Sequence, residues 1–379
     1  MKITKVEPIL CDSAWGVWVF IKVQTDEGIT GYGECSDHRG CTYGLIGCVK
    51  DIEQTLIGQD PRPVEKLYSA MYQLARQALG GVALKAIAGI DTALWDIKAK
   101  ALGVPVYELL GGPYQDRIRA YWGHCGLYRT RIADLMKIPP VKTIDDVYDL
   151  GKEVVKRGFT ALKTNIMLAG EYGQAPVKDS VEVLKKIIST FREAVGDKVD
   201  ICVDLESIFN NDGFISVAKA MEPFDLMWLE VDSNDPEALL QMKQSARTPI
   251  CSGGILCTSK AFNLFLALRS MDIAMVEVAG CGFTESKRIA ALADTHEIMI
   301  TPYNANSHLS TFMAAHLCAS VPNVKIMGID VDSAPWKDDI VTEIPDIKDG
   351  YIQIPCKPGI GVELNEKEIA KHPWLGHRG

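Results

Sequence analysis

From residue 118 onward the sequence repeats one unit. A short apolar run ends in polar residues and is followed by a helical stretch, with a period of roughly 25 residues. The apolar runs are 118–122, 158–165, 199–203, 226–229, 249–254, 273–277, 298–304 and 324–328. The helical stretches between them are 147–157, 178–195, 213–221, 236–246, 259–268, 285–296 and 311–320. A strand that feeds a helix and then a neighbouring parallel strand is a βα unit, and this many units in succession close most simply into a barrel. Such a fold gathers the residues that end its strands on one face. Here these are His124, Lys163 with Asn165, Asp204 with Glu206, Glu230 with Asp232, Gly254, Glu277, Tyr303 with Asn304, and Asp330.

Carboxylates brought together repel each other unless a cation sits between them. A single acid after a strand is ordinary surface chemistry. Asp204 and Glu230 stand at equivalent places of successive units, which is a stronger signal for a divalent cation. Lys163 has two readings. At a strand end, near a cation and away from water, an amine loses basicity and serves as a general base. Equally, it is an ion-pair partner for Asp204 or Glu230.

The first part of the chain follows other rules. Residues 18–23 and 30–35 alternate around an Asp26-Glu27-Gly28 turn, which is a β-hairpin. The polar loop after it, Ser36 to Gly40, offers His38 and Arg39 to a substrate or to solvent. Residues 86–100 form an Ala-rich amphipathic helix closed by Gly103. The expected organisation is an α+β unit over 1–115, a (β/α) barrel over 116–335, and a tail over 336–379. The strand-like stretch 349–355 is expected to carry that tail back to the first unit.

Composition removes several classes of function. A formal net charge of −9 argues against a nucleic-acid binder, which needs a basic face. No apolar stretch has the length of a membrane span, and residues 1–4 run directly into strand-like sequence rather than a targeting signal. The 11 cysteines are scattered and lack paired zinc spacing, and Cys202, Cys251 and Cys318 lie within apolar runs. The expectation is a reduced, cytoplasmic protein.

Several motifs carry a resemblance. They are Asp91-Thr92-Ala93-Leu94-Trp95-Asp96, the run Gly103 to Gly112, Ala161-Leu162-Lys163-Thr164-Asn165, Val203-Asp204, Trp228-Leu229-Glu230, and Pro358 to Leu364. In this order they resemble the enolase superfamily, in its mandelate racemase and muconate lactonizing enzyme branch. The resemblance implies an α/β fold: a modified TIM-like barrel under an N-terminal capping domain completed by the C-terminal tail. It also implies Mg²⁺ on three carboxylates and abstraction of the proton α to a substrate carboxylate. It makes Asp204 and Glu230 metal ligands and Lys163 a base.

The sequence departs from the family pattern at several of these places. Gly254 stands where the third metal carboxylate is expected, and Asn165 replaces the second lysine of a Lys-x-Lys pair. The family's acid–His dyad falls on Glu277 and Tyr303, and the last strand, expected to end at Gly328, lacks an acid there. Three readings follow. In one, Glu206 joins Asp204 and Glu230 on the metal, since two residues apart on a continuing strand they face one side. Lys163 or Tyr303, with His124 in reserve, then moves protons in an acid-sugar dehydration or, alternatively, a 2-hydroxy acid racemisation. In another, Lys163, His124 and Tyr303 work without a cation. In the last, the chain is a non-catalytic relative that binds an organic acid. Substrate contacts are expected from Asn165, Asn304, Trp18, His38 and Arg39, the partner is a small carboxylic acid, and the resemblance suggests a homo-oligomer.

Overall fold

The structure, a computed structural model, describes residues 1–36, 40–165, 168, 177–206 and 209–376. His38 and Arg39 lie outside the described residues. Strands β1 (Ile3–Asp12), β2 (Val17–Thr25) and β3 (Thr30–Glu34) form an antiparallel sheet in that order. Helices α1 (Thr42–Leu56), α2 (Val64–Ala75) and α3 (Gly81–Leu102) follow.

The sequence reads α3 as amphipathic, yet residues 86–97 are all buried or nearly so. The reason is that α3 is covered on opposite sides. One face meets β3, where a Cβ on Gly33 would stand 2.1 Å from the carbonyl oxygen of Gly89. Only glycine permits that approach of backbone to backbone. The other face meets the helix Val278–Thr295: the Trp95 indole donates to the Thr284 hydroxyl at 3.0 Å, and Asp91 accepts from the Thr284 hydroxyl at 2.6 Å.

The βα repeat then gives parallel strands β4 (Arg117–Gly123), β5 (Ala161–Asn165), β6 (Asp200–Asp204), β7 (Trp228–Glu230), β8 (Ile250–Ser252), β9 (Ile273–Val276), β10 (Met299–Pro302) and β11 (Met327–Asp330). Each pairs with the next from β4 to β10, and β11 pairs with β4. The Lys325 amide donates to Ile300 and the Asp330 amide to Asn304, which brings β11 alongside β10. Tyr121, Ala161, Cys202, Trp228, Cys251, Met275 and Ile326 fill the interior. This is the α/β architecture expected, a TIM-like barrel with an N-terminal cap.

Three elements differ from the sequence reading. The last strand runs 327–330 rather than 324–328, so it ends on Asp330. Gly328 lies inside, where a Cβ would meet the Tyr121 hydroxyl at 2.4 Å. The helix expected from 285 begins at Val278 and is broken at Gly282, whose φ of 71° and ψ of 171° are non-helical. The tail strands β12 (Ile347–Lys348) and β13 (Tyr351–Gln353) form a hairpin that joins not the cap but the barrel, where β13 pairs with β4. The tail reaches the cap before and after these strands: the Trp336 indole donates to the Asp12 carbonyl at 2.7 Å, Asp96 of α3 accepts the Ile360 amide at 2.8 Å, and the Asp12 amide donates to His372.

Candidate functional site

Parallel pairing sets β5, β6 and β7 in step: Asn165 is opposite Asp204, and Asp204 is opposite Glu230. Lys163 stands two residues before Asn165 and points to the same side of its strand. Its ammonium donates to Asp204 Oδ2 at 3.0 Å and to both oxygens of Glu230, at 3.0 and 2.9 Å. All three side chains are buried. Burial works against the lysine charge, but the two carboxylates prevail and hold Lys163 well above its usual range. Burial and the Asp204 charge push Glu230 up to about 8. Lys163 holds Asp204 below the usual carboxylate range. The cluster therefore pairs an ammonium with an ionised Asp204, and Glu230 is the more readily protonated of the two carboxylates. Of the two readings of Lys163, this arrangement is the ion-pair partner.

These residues form the floor of a cavity of about 320 Å³, lined by Trp15, His124, Tyr128, Arg131, Glu206, Gly254 and Tyr303 among others. A larger cavity, about 430 Å³, lies behind Asp330 against residues 333–338. The smaller one is the candidate site, because the strand-end charges converge there.

The remaining candidates fall into two groups. His124 and Tyr303 line the cavity with Lys163. Burial and the nearby Glu277 charge push the Tyr303 hydroxyl well up, so it stays a proton donor. Its ring lies 5.7 Å from the Lys163 ammonium. Glu206 also lines the cavity but leaves the line of Asp204. Strand β6 ends at Asp204 and Glu206 adopts a positive φ of 49°, so the two do not extend one continuing strand. The Glu206 carboxylate instead accepts from the Asn165 amide at 3.0 Å.

Glu277, Asn304 and Trp18 are turned elsewhere. Glu277 lies 3.6 Å from Lys85 of α3 and links cap to barrel. The Asn304 side chain ties its own loop, accepting from the Asn306 amide and donating to Ser307 and Thr311. Trp18 is buried in the cap core opposite Cys11. The indole that reaches the cavity is Trp15, edge-on to Tyr128 at 5.7 Å and under the Arg131 guanidinium.

Sequence reasoning assigned no role to Tyr128, Arg131 or Asp232. Tyr128 and Arg131 sit on a five-residue helix, Leu127–Arg131, too short to leave a periodic signature. Asp232 lies in the loop that leaves β7. One of its oxygens is buried without a hydrogen-bond partner among the described residues, and burial with the Asp204 charge pushes it up to about 6.

Comparison with known proteins bears on the family and the fold. Residues 146–368 match the enolase C-terminal domain-like family, and residues 14–111 match the mandelate racemase/muconate lactonizing enzyme N-terminal domain. The chain belongs to the mandelate racemase/muconate lactonizing enzyme family. Among its members, a D-galactonate dehydratase of Verminephrobacter eiseniae is 31% identical over 92% of this chain and 89% of its own length. A D-xylonate dehydratase of Haloferax volcanii is 27% identical over 98% of this chain and 89% of its own. A Burkholderia xenovorans structure described as an L-alanine-DL-glutamate epimerase, bound to magnesium and fumarate, superposes with a TM-score of 0.94 at 32% identity, covering 98% of this chain and 96% of that one.

Magnesium is thus bound within the mandelate racemase/muconate lactonizing enzyme family, and this chain's donors can be tested against it. Magnesium demands near-octahedral oxygen ligands at short range. Among the described residues, no group of three or more His, Cys, Asp or Glu side chains is spaced to hold a metal ion. Gly254 supplies no carboxylate, and the Lys163 ammonium already occupies hydrogen-bonding positions on both Asp204 and Glu230. The residues as arranged do not fit the ion.

Proposed function

We propose that this chain is an acid-sugar dehydratase-type lyase, which removes the proton α to a carboxylate and expels a β-hydroxyl as water. The observation that carries the reading is one cavity lined by a lysine ammonium, an imidazole and a protonated tyrosine at the strand ends. That set supplies charge stabilisation, a base and an acid around a small organic acid. Dehydratase relatives across most of the chain, and a dicarboxylate bound in the Burkholderia structure, support the same substrate class. Arg131, which lines the cavity, would supply a guanidinium for the substrate carboxylate. The Lys163 ammonium offsets negative charge that develops at the floor, and Tyr303 donates a hydrogen bond. The missing opposed base at 165 favours dehydration over racemisation, which needs a base on each face. The test is a panel of D-xylonate, D-galactonate, D-gluconate and related acids, read by formation of the 2-keto-3-deoxy acid. No turnover of any acid, with or without added Mg²⁺, would remove the lyase reading.

One observation favours a second reading. Lys163 is held by two carboxylates and is a poor free base, which suits a relative that binds an organic acid without turnover. Saturable binding of an acid that is never converted would identify it.

The site of the absent third carboxylate gives a further expected outcome. A Cβ on Gly254 would lie 3.3 Å from Asp232 Oδ1 and 3.8 Å from Met275 and Tyr303, so a side chain needs only small adjustments. Gly254→Glu combined with Lys163→Met, which also frees Asp204 and Glu230, is expected to gain saturable Mg²⁺ binding by calorimetry, where chelator-treated wild type is expected to show none at millimolar ion. Saturable binding by wild type that disappears in Asp204→Asn or Glu206→Gln would instead support ligation by Asp204, Glu230 and Glu206.

A further inference from the structure

We propose that His124 and Asp330 form the acid–base dyad of this site, with His124 Nε2 as the atom that takes and returns the substrate proton. For the reaction it serves, the proposal rests on the dehydratase reading above. The pair stands at the ends of β4 and β11, which the barrel places side by side, with Asp330 in register with Gly123. His124 Nδ1 lies 3.0 Å from each oxygen of Asp330. A carboxylate accepts from the ring, so Nδ1 carries the hydrogen and Nε2 is the atom at which the ring takes or gives its second proton, a step that Asp330 favours against the opposing effect of burial. His124 lines the cavity, and Nε2 makes no hydrogen bond among the described residues. The Tyr128 hydroxyl donates to Asp330 Oδ2 at 2.8 Å and holds the carboxylate from its other side.

Two backbone features serve this arrangement. A Cβ on Gly123 would stand 2.6 Å from Asp330 Oδ1, so the carboxylate lies against bare main chain. His124 itself adopts a left-handed φ of 43°, a conformation that costs free energy in a non-glycine residue and concentrates at functional sites. The other charges that act on the ring are Lys163 and Asp204 across the cavity floor. Glu277 and Tyr303, which fall at the family's own dyad positions, are not hydrogen-bonded to each other among the described residues.

In the step, Nε2 takes the C2 proton of a 2,3-dihydroxy acid. The C–H electron pair becomes the C2=C3 bond and the C3–O bond breaks. The departing hydroxide takes the proton back from the imidazolium and leaves as water. His124 returns to its starting state, and the enol tautomerises to the 2-keto-3-deoxy acid, so no other reactant is consumed. Asp330 is a positioning residue that fixes the tautomer and steadies the imidazolium.

The experiment compares wild type, His124→Asn, His124→Gln and Asp330→Asn, each checked for folding by thermal melting. On an acid turned over by wild type, both His124 variants are expected to lose about 10²–10⁴-fold in kcat with little change in KM. Asp330→Asn is expected to lower kcat and to shift the acid limb of the pH–rate profile downward. If either folded His124 variant keeps wild-type kcat, or the Asp330→Asn profile does not move, the dyad is overturned while the lyase reading stands. If neither His124 variant folds, the Asp330→Asn profile decides. If no acid is dehydrated, exchange of the C2 proton of D-galactonate, D-gluconate and D-xylonate with D₂O is followed by NMR. Exchange by wild type that the His124 variants lack supports the dyad although the lyase reading has failed; no exchange from any of the three overturns it.

Discussion

Lys163→Met is expected to destabilise the protein by about 3–5 kcal/mol, the range for removing one partner of a buried ion pair. The methionine fills a similar volume, so little of the loss is packing. What remains is Asp204 beside Glu230, both buried, with the cation that separated them gone. The effect should depend on pH in a defined direction. Burial and Asp204 push Glu230 up to about 8, against an ordinary 4.5. Between those values the folded protein holds a proton that the unfolded chain releases, so the Glu230 contribution to stability falls as pH rises. Below the ordinary value both states are protonated, and above about 8 neither is. Loss of the ammonium strengthens the preference for the protonated form, so Lys163→Met should melt much further below wild type at pH 8.5 than at pH 5.5. Equal differences at both pH values would show that the ammonium does not neutralise this pair.

The second large effect is expected at the seam between cap and barrel. Glu34 ends β3 and is completely buried. Its carboxylate accepts from the Ser36 hydroxyl, the Ser307 amide and hydroxyl, and the Ser310 amide. Ser307 and Ser310 begin the barrel helix His308–Ala319, so a cap residue satisfies amides at that helix N-terminus and meets its dipole favourably. Glu34→Ala leaves these buried donors without an acceptor, at about 1–3 kcal/mol for each group. The expected loss is about 3 kcal/mol or more by denaturant unfolding. Glu34→Gln, which keeps an acceptor oxygen, should recover part of it. If Glu34→Ala unfolds at the wild-type denaturant midpoint, the seam is held by other contacts.

Much of the site was legible because a strand end is a position that sequence fixes. Apolar runs closed by Lys163, Asp204, Glu230 and Tyr303 place those side chains on one face wherever the exact strand boundaries fall. The dyad of His124 and Asp330 was less legible. Both residues are visible at strand ends, but 206 positions separate them in the chain. Only closure of the barrel between its first and last strands makes them neighbours. The last strand was also read as ending at Gly328, which hid the carboxylate that does end it. Trp15 and Trp18 show the same limit on a smaller scale. They lie three residues apart, and only the packing of the cap sheet decides that Trp18 enters the core while Trp15 reaches the cavity.

The sequence by itself determined the βα repeat, the cap preceding it, and the set of charged groups that the strands deliver. Periodicity and strand-end chemistry are local properties, and they survive small errors of boundary. The tertiary structure decided how those groups neutralise one another. Whether Lys163 is a free base or a counter-ion depends on distances of about 3 Å to two carboxylates on other strands. Electrostatic energy falls steeply with distance and rises with burial. Neither quantity exists until the barrel has closed around the three side chains.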